Sequence, residues 1–267
     1  MHGLKLVGWT FALLGDNGLK LLRTNWFQLL VLALLLTGSW LFLAKRDQIV
    51  PLPFDHPLLP FLDIAIVNAT TFLKLIVIGT VVPSILTLLE GEPLKRKRTG
   101  LARFLLHWCL ISIVFVGAIL SINAIQLQFE FGGSEPLSPV ATIAVKLLAL
   151  YLQYVVLWVA VYFFVVAPHM LYPTESNTGW RFASGQKVGV VVGATIIFLV
   201  TESLLSTLIF YSPPVAPFWF GLNQLDSGWT ILVQCVTVTA ETLAAMVYAC
   251  FIAVAYQSIA DVKRASS

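Results

Sequence analysis

The chain has 267 residues, 58% of them apolar and 11% charged, with a mean hydropathy of +0.89 and a formal net charge of +3. A soluble globular domain carries about 25% charged and about 45–50% apolar residues, so this composition excludes one. At ~150 residues per domain a soluble chain of this length would hold about two domains, but here the apolar residues lie in long blocks and the natural unit is one all-α polytopic membrane bundle.

Residues 1–25 place Leu4, Val7, Phe11 and Leu14 at helical spacing, interrupted by D-N-G at 16–18 and followed by Lys20 and Arg23. This reads as an interfacial amphipathic helix preceding the first span, the alternative being a packed cytoplasmic helix. No basic start, short apolar stretch and small-residue cleavage site occur together, so no cleavable signal is expected.

A bilayer core ~30 Å thick needs about 20 apolar residues in a helix. Six blocks qualify, at 26–44, 64–90, 102–126, 139–167, 187–212 and 229–257, which makes 26–257 a six-helix transmembrane bundle and 258–267 a cytoplasmic tail. Turn formers separate them, as in PLPFDHPLLP at 51–60 and GEPLKRKRTG at 91–100. The 211–228 loop, with its PP and P-F-W-F elements, either re-enters the membrane or lies flat as an aromatic anchor. Pro83 inside the second block removes a backbone donor and is expected to kink that helix.

Lys and Arg set the orientation, because cytoplasmic loops are enriched in them. With both termini on one side, twelve of the sixteen lie there and only Lys45 and Arg46 lie opposite, the other two being within spans. Both ends are therefore expected in the cytoplasm. Trp26, Trp108 and Trp180 then fall near cytoplasmic ends and Trp40, Trp219 and Trp229 near outer ends, the headgroup levels that indoles prefer. The basic run Lys95, Arg96, Lys97 and Arg98 helps to set this topology and is a candidate contact for anionic lipid headgroups.

Four charged residues remain within the spans: Lys74, Lys146, Glu202 and Glu241. At ~1.5 Å per residue they lie about 15, 10, 15 and 18 Å from the outer ends of their helices, in one slab. Such residues face the bundle interior and find partners. Thr230, Gln234, Thr237, Glu241 and Tyr248 share about 60° of arc on the sixth span. Thr195, Glu202 and Ser206 share a face of the fifth, and Thr142, Lys146 and Gln153 one of the fourth. These seams either lock the bundle through two Lys–Glu pairs or line an ion, proton or ligand path.

No phosphate-binding loop, H-E-x-x-H, G-x-S-x-G or dinucleotide fingerprint occurs. The three cysteines lie in apolar runs without a C-x-x-C or Cys/His cluster, so no disulfide framework, metal site or cofactor is expected. The basic residues form no aromatic-bearing platform for nucleic acid. The sequence thus points to a non-enzymatic accessory or scaffolding subunit that binds the lipid bilayer and other membrane protein subunits, the alternative being a small transporter or channel built on the Lys/Glu cluster.

The second half carries GEPLKRKRTGLARFLLHW, then LWVAVYFFVVAPHMLYPTESNTGWRFASGQKVGVVVGATIIF, and ends VYACFIAVAYQSIADVKR. With Pro168, Glu175, Ala183, Ser184 and Tyr256 at the marked positions, residues 90–264 resemble the membrane domain of some bacterial glycerophosphoryl diester phosphodiesterases and related stand-alone six-span proteins. The resemblance implies a six-helix α fold, an accessory or lipid-linked role and a bacterial inner-membrane location. It implies no catalytic residues, because the phosphodiesterase activity belongs to a separate soluble domain.

Overall fold

A computed structural model describes residues 2–44, 58–131, 137–171, 184–211 and 228–266; within these, the side chains of residues 44, 60, 90, 98–99, 131, 184–186, 202, 205–211, 228–233 and 260–266 are not described. The described chain is helical throughout, with no strand among its residues. In chain order the helices are α1 (His2–Thr24), α2 (Trp26–Ala44), α3 (Leu59–Glu90), α4 (Arg98–Phe131), α5 (Pro139–Val166), a 3-10 turn (Ala167–Met170), α6 (Ser184–Tyr211) and α7 (Gly228–Ser266). Five of them, α2 to α5 and α7, are long and apolar enough to cross a bilayer, and α6 is apolar over the shorter described stretch Lys187–Thr201. The protein is an integral membrane protein of the all-α class. This fold leaves no backbone donor or acceptor facing lipid, because each helix satisfies its own.

Helices consecutive in the chain from α2 to α7 run antiparallel, and pairs of polar side chains fix their levels. Thr70 donates to Ser39 (2.7 Å) and Ser84 to the Oδ1 of Asn25 (2.6 Å), tying α3 to both ends of α2. The Nε1 of Trp108 in α4 donates to the Leu75 carbonyl of α3 (2.7 Å). Gln153 in α5 donates to Asn123 in α4 (2.6 Å), and a hydrogen bond of 2.5 Å joins Thr201 of α6 to Tyr248 of α7. α5 begins where Pro139 occupies the first turn and the Ser138 hydroxyl accepts from the Ala141 amide (3.3 Å).

α7 is the central helix. Every residue from Ala249 to Tyr256 is buried, so the helix is covered on all sides, by α1, α2, α3, α5 and α6 among others. It also continues to Ser266, so the residues expected as a tail after 257 extend the helix. α4 and α5 lie at the periphery, with long runs of exposed aliphatic side chains.

α1 departs from the sequence reading in one way: it runs unbroken through D-N-G at 16–18. Its buried stripe is Gly3, Leu6, Thr10, Leu13 and Leu21, a face the apolar spacing did not mark, while Leu4 and Phe11 stay exposed. The choice of buried face is steric: α1 docks on the Gly189–Gly193 segment of α6. A Cβ on Gly3 would stand 2.8 Å from the Gly189 carbonyl oxygen and 3.0 Å from the Gly193 nitrogen. Such a G-x-x-x-G contact selects small residues rather than apolar ones. Around the rest of α1, exposed Leu4, Phe11 and Leu19 fall within about 80° of arc, while Lys5, Asp16, Lys20 and Arg23 occupy a separate arc of about 60°.

Asn25 is wholly buried at the bend between α1 and α2; its side-chain amide donates to the Leu21 carbonyl (2.9 Å) while its oxygen accepts from Ser84. His2 meets Ser258 of α7 at 3.3 Å. Both ends of α1 therefore lie at the same end of the bundle, together with the last turns of α3 and α7.

Candidate functional site

A cavity of about 330 Å³ lies among α3, α4, α5, α6 and α7. Its level follows from the lining residues: Phe115 is the midpoint of the apolar stretch Gly100–Glu130, and Lys74 is next to the midpoint of Phe61–Leu89. The cavity is thus centred in the membrane-spanning region. Its walls are mostly apolar, with Ile78, Phe164, Phe198, Phe251 and Ile252 prominent, and its polar groups are Thr71, Lys74, Thr195 and Tyr248.

Lys74 and Glu241 form an ion pair at 3.3 Å across α3 and α7. Their expected depths of about 15 and 18 Å place them at one level if the two helices run in the same direction, as α3 and α7 do. The α7 seam therefore serves two neighbours, with Glu241 turned to α3 and Tyr248 to α6. Thr71 donates to its own helix at Val67 (2.9 Å). Thr195 lines the cavity from α6. Thr237 and Gln234 are half-buried on α7 above Glu241.

Lys146 is not brought to this pair. It lies 3.9 Å from Glu130, and the same Glu130 accepts from Gln126 (3.2 Å). With the Gln153–Asn123 bond these residues form a polar ladder along the α4–α5 seam, one to two helical turns apart. The side chains of Glu202, Ser206 and Arg98, all of Lys95, Arg96 and Lys97, and the 211–228 loop apart from its two ends lie outside the described residues.

Trp108 also departs from expectation. It is buried, not interfacial, and stacks at 5.4 Å from Phe104 and 4.6 Å from Phe164. Its slot exists because residue 79 is glycine: a Cβ there would stand 2.6 Å from the indole. Phe164, which also lines the cavity, thereby gains a fixed backing. Trp158 lines the cavity yet is 44% exposed, so its indole stands at the boundary between cavity and surroundings. α3 remains helical through Pro83.

Sequence reasoning passed over Asn25, Asn123, Gln126 and Glu130. Glu130 lay beyond the end drawn for the third span at 126, whereas α4 continues to Phe131. Among the described residues no group of three or more His, Cys, Asp or Glu is placed to hold a metal. Of the positions that carry the family resemblance, Pro168 lies in the 3-10 turn, Ser184 starts α6, and Tyr256 packs edge-on against His169 at 4.6 Å. No protein-family model, no curated protein and no solved structure matches the chain.

Proposed function

We propose that this integral membrane protein is a small, non-enzymatic transporter or binding protein for a membrane-dissolved organic ligand held in the mid-bilayer cavity. The observation that carries the reading is Lys74, held by an ion pair to Glu241 behind it, in the wall of a mostly apolar cavity. A pair needed only to lock helices would serve best in a dry seam, and a well-formed apolar pocket with a few convergent polar groups is the usual form of a ligand site. On this reading α1 lies in the cytoplasmic interface of a bacterial inner membrane. Its three faces fit that place, one against α6 and α7, one apolar toward acyl chains and one charged toward water.

The test is the content of the cavity. Protein purified in nanodiscs should release a low-molecular-mass compound into organic solvent in near-stoichiometric amount, and Ala194→Trp, which fills the cavity from α6, should lose it. Val114→Trp, on an exposed face of α4, should retain it. Equal recovery from both folded variants would refute the reading. In vesicles, Glu241→Gln should lower flux of that compound without loss of folded protein.

A second reading, the accessory subunit implied by the family resemblance, is favoured by the outer face of α5. Tyr151 is 65% exposed about 18 Å from the start of its helix, and Tyr154 is exposed one turn on. Neither hydroxyl has a hydrogen-bond partner among the described residues, and a bare hydroxyl in hydrocarbon costs several kcal/mol. A transmembrane helix of another subunit that offers acceptors would meet both. Co-purification in mild detergent that is lost on Tyr151→Leu would support it; a partner-free monomer would refute it.

A further inference from the structure

We infer that the ligand of the mid-bilayer cavity is an uncharged, long-chain molecule with a carbonyl-type acceptor oxygen, and that it enters sideways from the lipid past Trp158 between α5 and α6. This rests on reading the cavity as a binding site.

Charge comes first. Lys74 on the wall is neutralised by Glu241, which pairs with it from α7, and no other described lining residue is ionisable apart from Tyr248, whose hydroxyl is bonded to Thr201. Along α3, about 16 Å of helix separates Lys74 from the next ionisable residue on one side, Asp63, and about 24 Å separates it from Glu90 on the other. An anion or cation added there would leave one unpaired charge in the middle of the membrane, a cost of about two orders of magnitude in affinity. A neutral ligand avoids it.

The donor inventory then sets the polar group. An ammonium has three N–H donors, and the one acceptor of Lys74 among the described residues is Glu241. The Thr195 hydroxyl, on the cavity wall, donates to no described residue. The cavity therefore offers unused donors from two helices, while the Thr71 and Tyr248 hydroxyls are already bonded and the remaining lining is apolar apart from the Trp158 indole, a combination that takes an acceptor oxygen on an apolar chain. An ester of a lipid and an isoprenoid quinone both present that chemistry.

Access follows from the packing. α5 and α6 meet sparsely, their tie at the α1 end being Lys187 over the Tyr162 ring at 5.7 Å. Leu157, Trp158 and Val161 of α5 face Val191, Ala194 and Phe198 of α6 across the cavity, and only Trp158 of these is substantially exposed. A lipid-dissolved molecule reaches the cavity through that seam without crossing either headgroup region.

The full chain in nanodiscs, labelled with a long-chain methyl ketone bearing a diazirine beside its carbonyl, tests this. Adducts should map to 157–161 and 191–198 and fall about tenfold in the paired variant Lys74→Met/Glu241→Leu, the loss expected for one charge-assisted hydrogen bond. Ala194→Trp should abolish them, and Val161→Trp, which fills the cavity from the opposite wall, does the same if the first variant fails to fold. Competition by an unlabelled acyl methyl ester or an isoprenoid quinone supports the inference, the stronger competitor identifying the source. The ionised long-chain carboxylate should compete about 100-fold more weakly. Equal competition by the carboxylate overturns the neutral-ligand inference and leaves cavity binding intact. Adducts spread over α2 and α4 and indifferent to both tryptophan variants overturn cavity binding itself.

Discussion

Replacing the two members of the mid-membrane ion pair singly and together separates its contributions. Lys74→Met leaves a carboxylate, and Glu241→Leu an ammonium, near the middle of the membrane-spanning region. Breaking a buried pair by removing one partner costs about 3–5 kcal/mol, and insertion scales put a lone charge at mid-membrane at about 2.5–3.5 kcal/mol. With side-chain exposures of 17% and 32% the pair is incompletely enclosed by protein, so each single variant belongs near the lower figure, about 3 kcal/mol. The double variant removes both desolvation costs along with the attraction, and belongs within about 1 kcal/mol of the parent. The coupling is then at least about 5 kcal/mol, inside the range measured for close charge pairs elsewhere. Unfolding in mixed micelles of rising SDS fraction, followed by tryptophan emission, reads all four proteins. A double variant as unstable as the sum of its singles would show that Lys74 and Glu241 act independently, and would refute the pairing.

Gly79→Ala should cost about 1–3 kcal/mol, because the added methyl lies 2.6 Å from the Trp108 indole in a packed core; thermal unfolding in detergent checks this, and near-UV dichroism shows whether the ring has moved. Gly193→Leu, which puts a branched chain against the Gly3 carbonyl and Phe251, should release α1 while leaving α2 to α7 assembled. Amide exchange confined to residues 2–24 is the expected signature, and general loss of protection would contradict it. Trp108→Phe should cost about 1 kcal/mol beyond the lost packing, since it removes the bond to the Leu75 carbonyl. That carbonyl keeps its place in the α3 ladder, so a cost several times larger would point to a different role for the indole.

The span positions were legible because length and hydropathy decide them: 26–44 and 139–167 fall within a residue of α2 and α5. Helical rise converts sequence position into level, which put Lys74 and Glu241 close in depth but placed Glu202 and Lys146 in the same slab, so the pairing itself was not legible. The Glu130 beside Lys146 escaped notice because it sits in the outermost turns of α4, where hydropathy fades before the helix ends and a boundary drawn from hydropathy falls short. Two further features were invisible to hydropathy. The docking face of α1 is chosen by the absence of a Cβ at Gly3, Gly189 and Gly193, and the burial of Trp108 by the absence of one at Gly79. In each case the informative residue is the one with no side chain, and a scale that scores side chains passes over it.

A cavity of about 330 Å³ that opens toward the surroundings beside Trp158 leaves packing contacts within the bundle unmade, and filling part of it should stabilise the protein while removing its ligand. Water is not the reference here: a side chain that leaves lipid gains nothing from the hydrophobic effect, so the gain is restored packing alone. Ala194→Leu adds three carbons on the α6 wall, where residual cavity costs about 24 cal/mol per Å³ in a well-packed interior, so stabilisation of about 1–2 kcal/mol is expected. The opposing term is strain if the leucine meets Phe251 or Trp158, which would cost a similar amount. SDS-induced unfolding of protein stripped of small molecules reads the first term, and recovery of extracted compound reads the second. Stabilisation with loss of the compound fits a cavity kept open for an occupant. Destabilisation with the compound retained would mean that the space closes in lipid, and that the ion pair serves the helices alone.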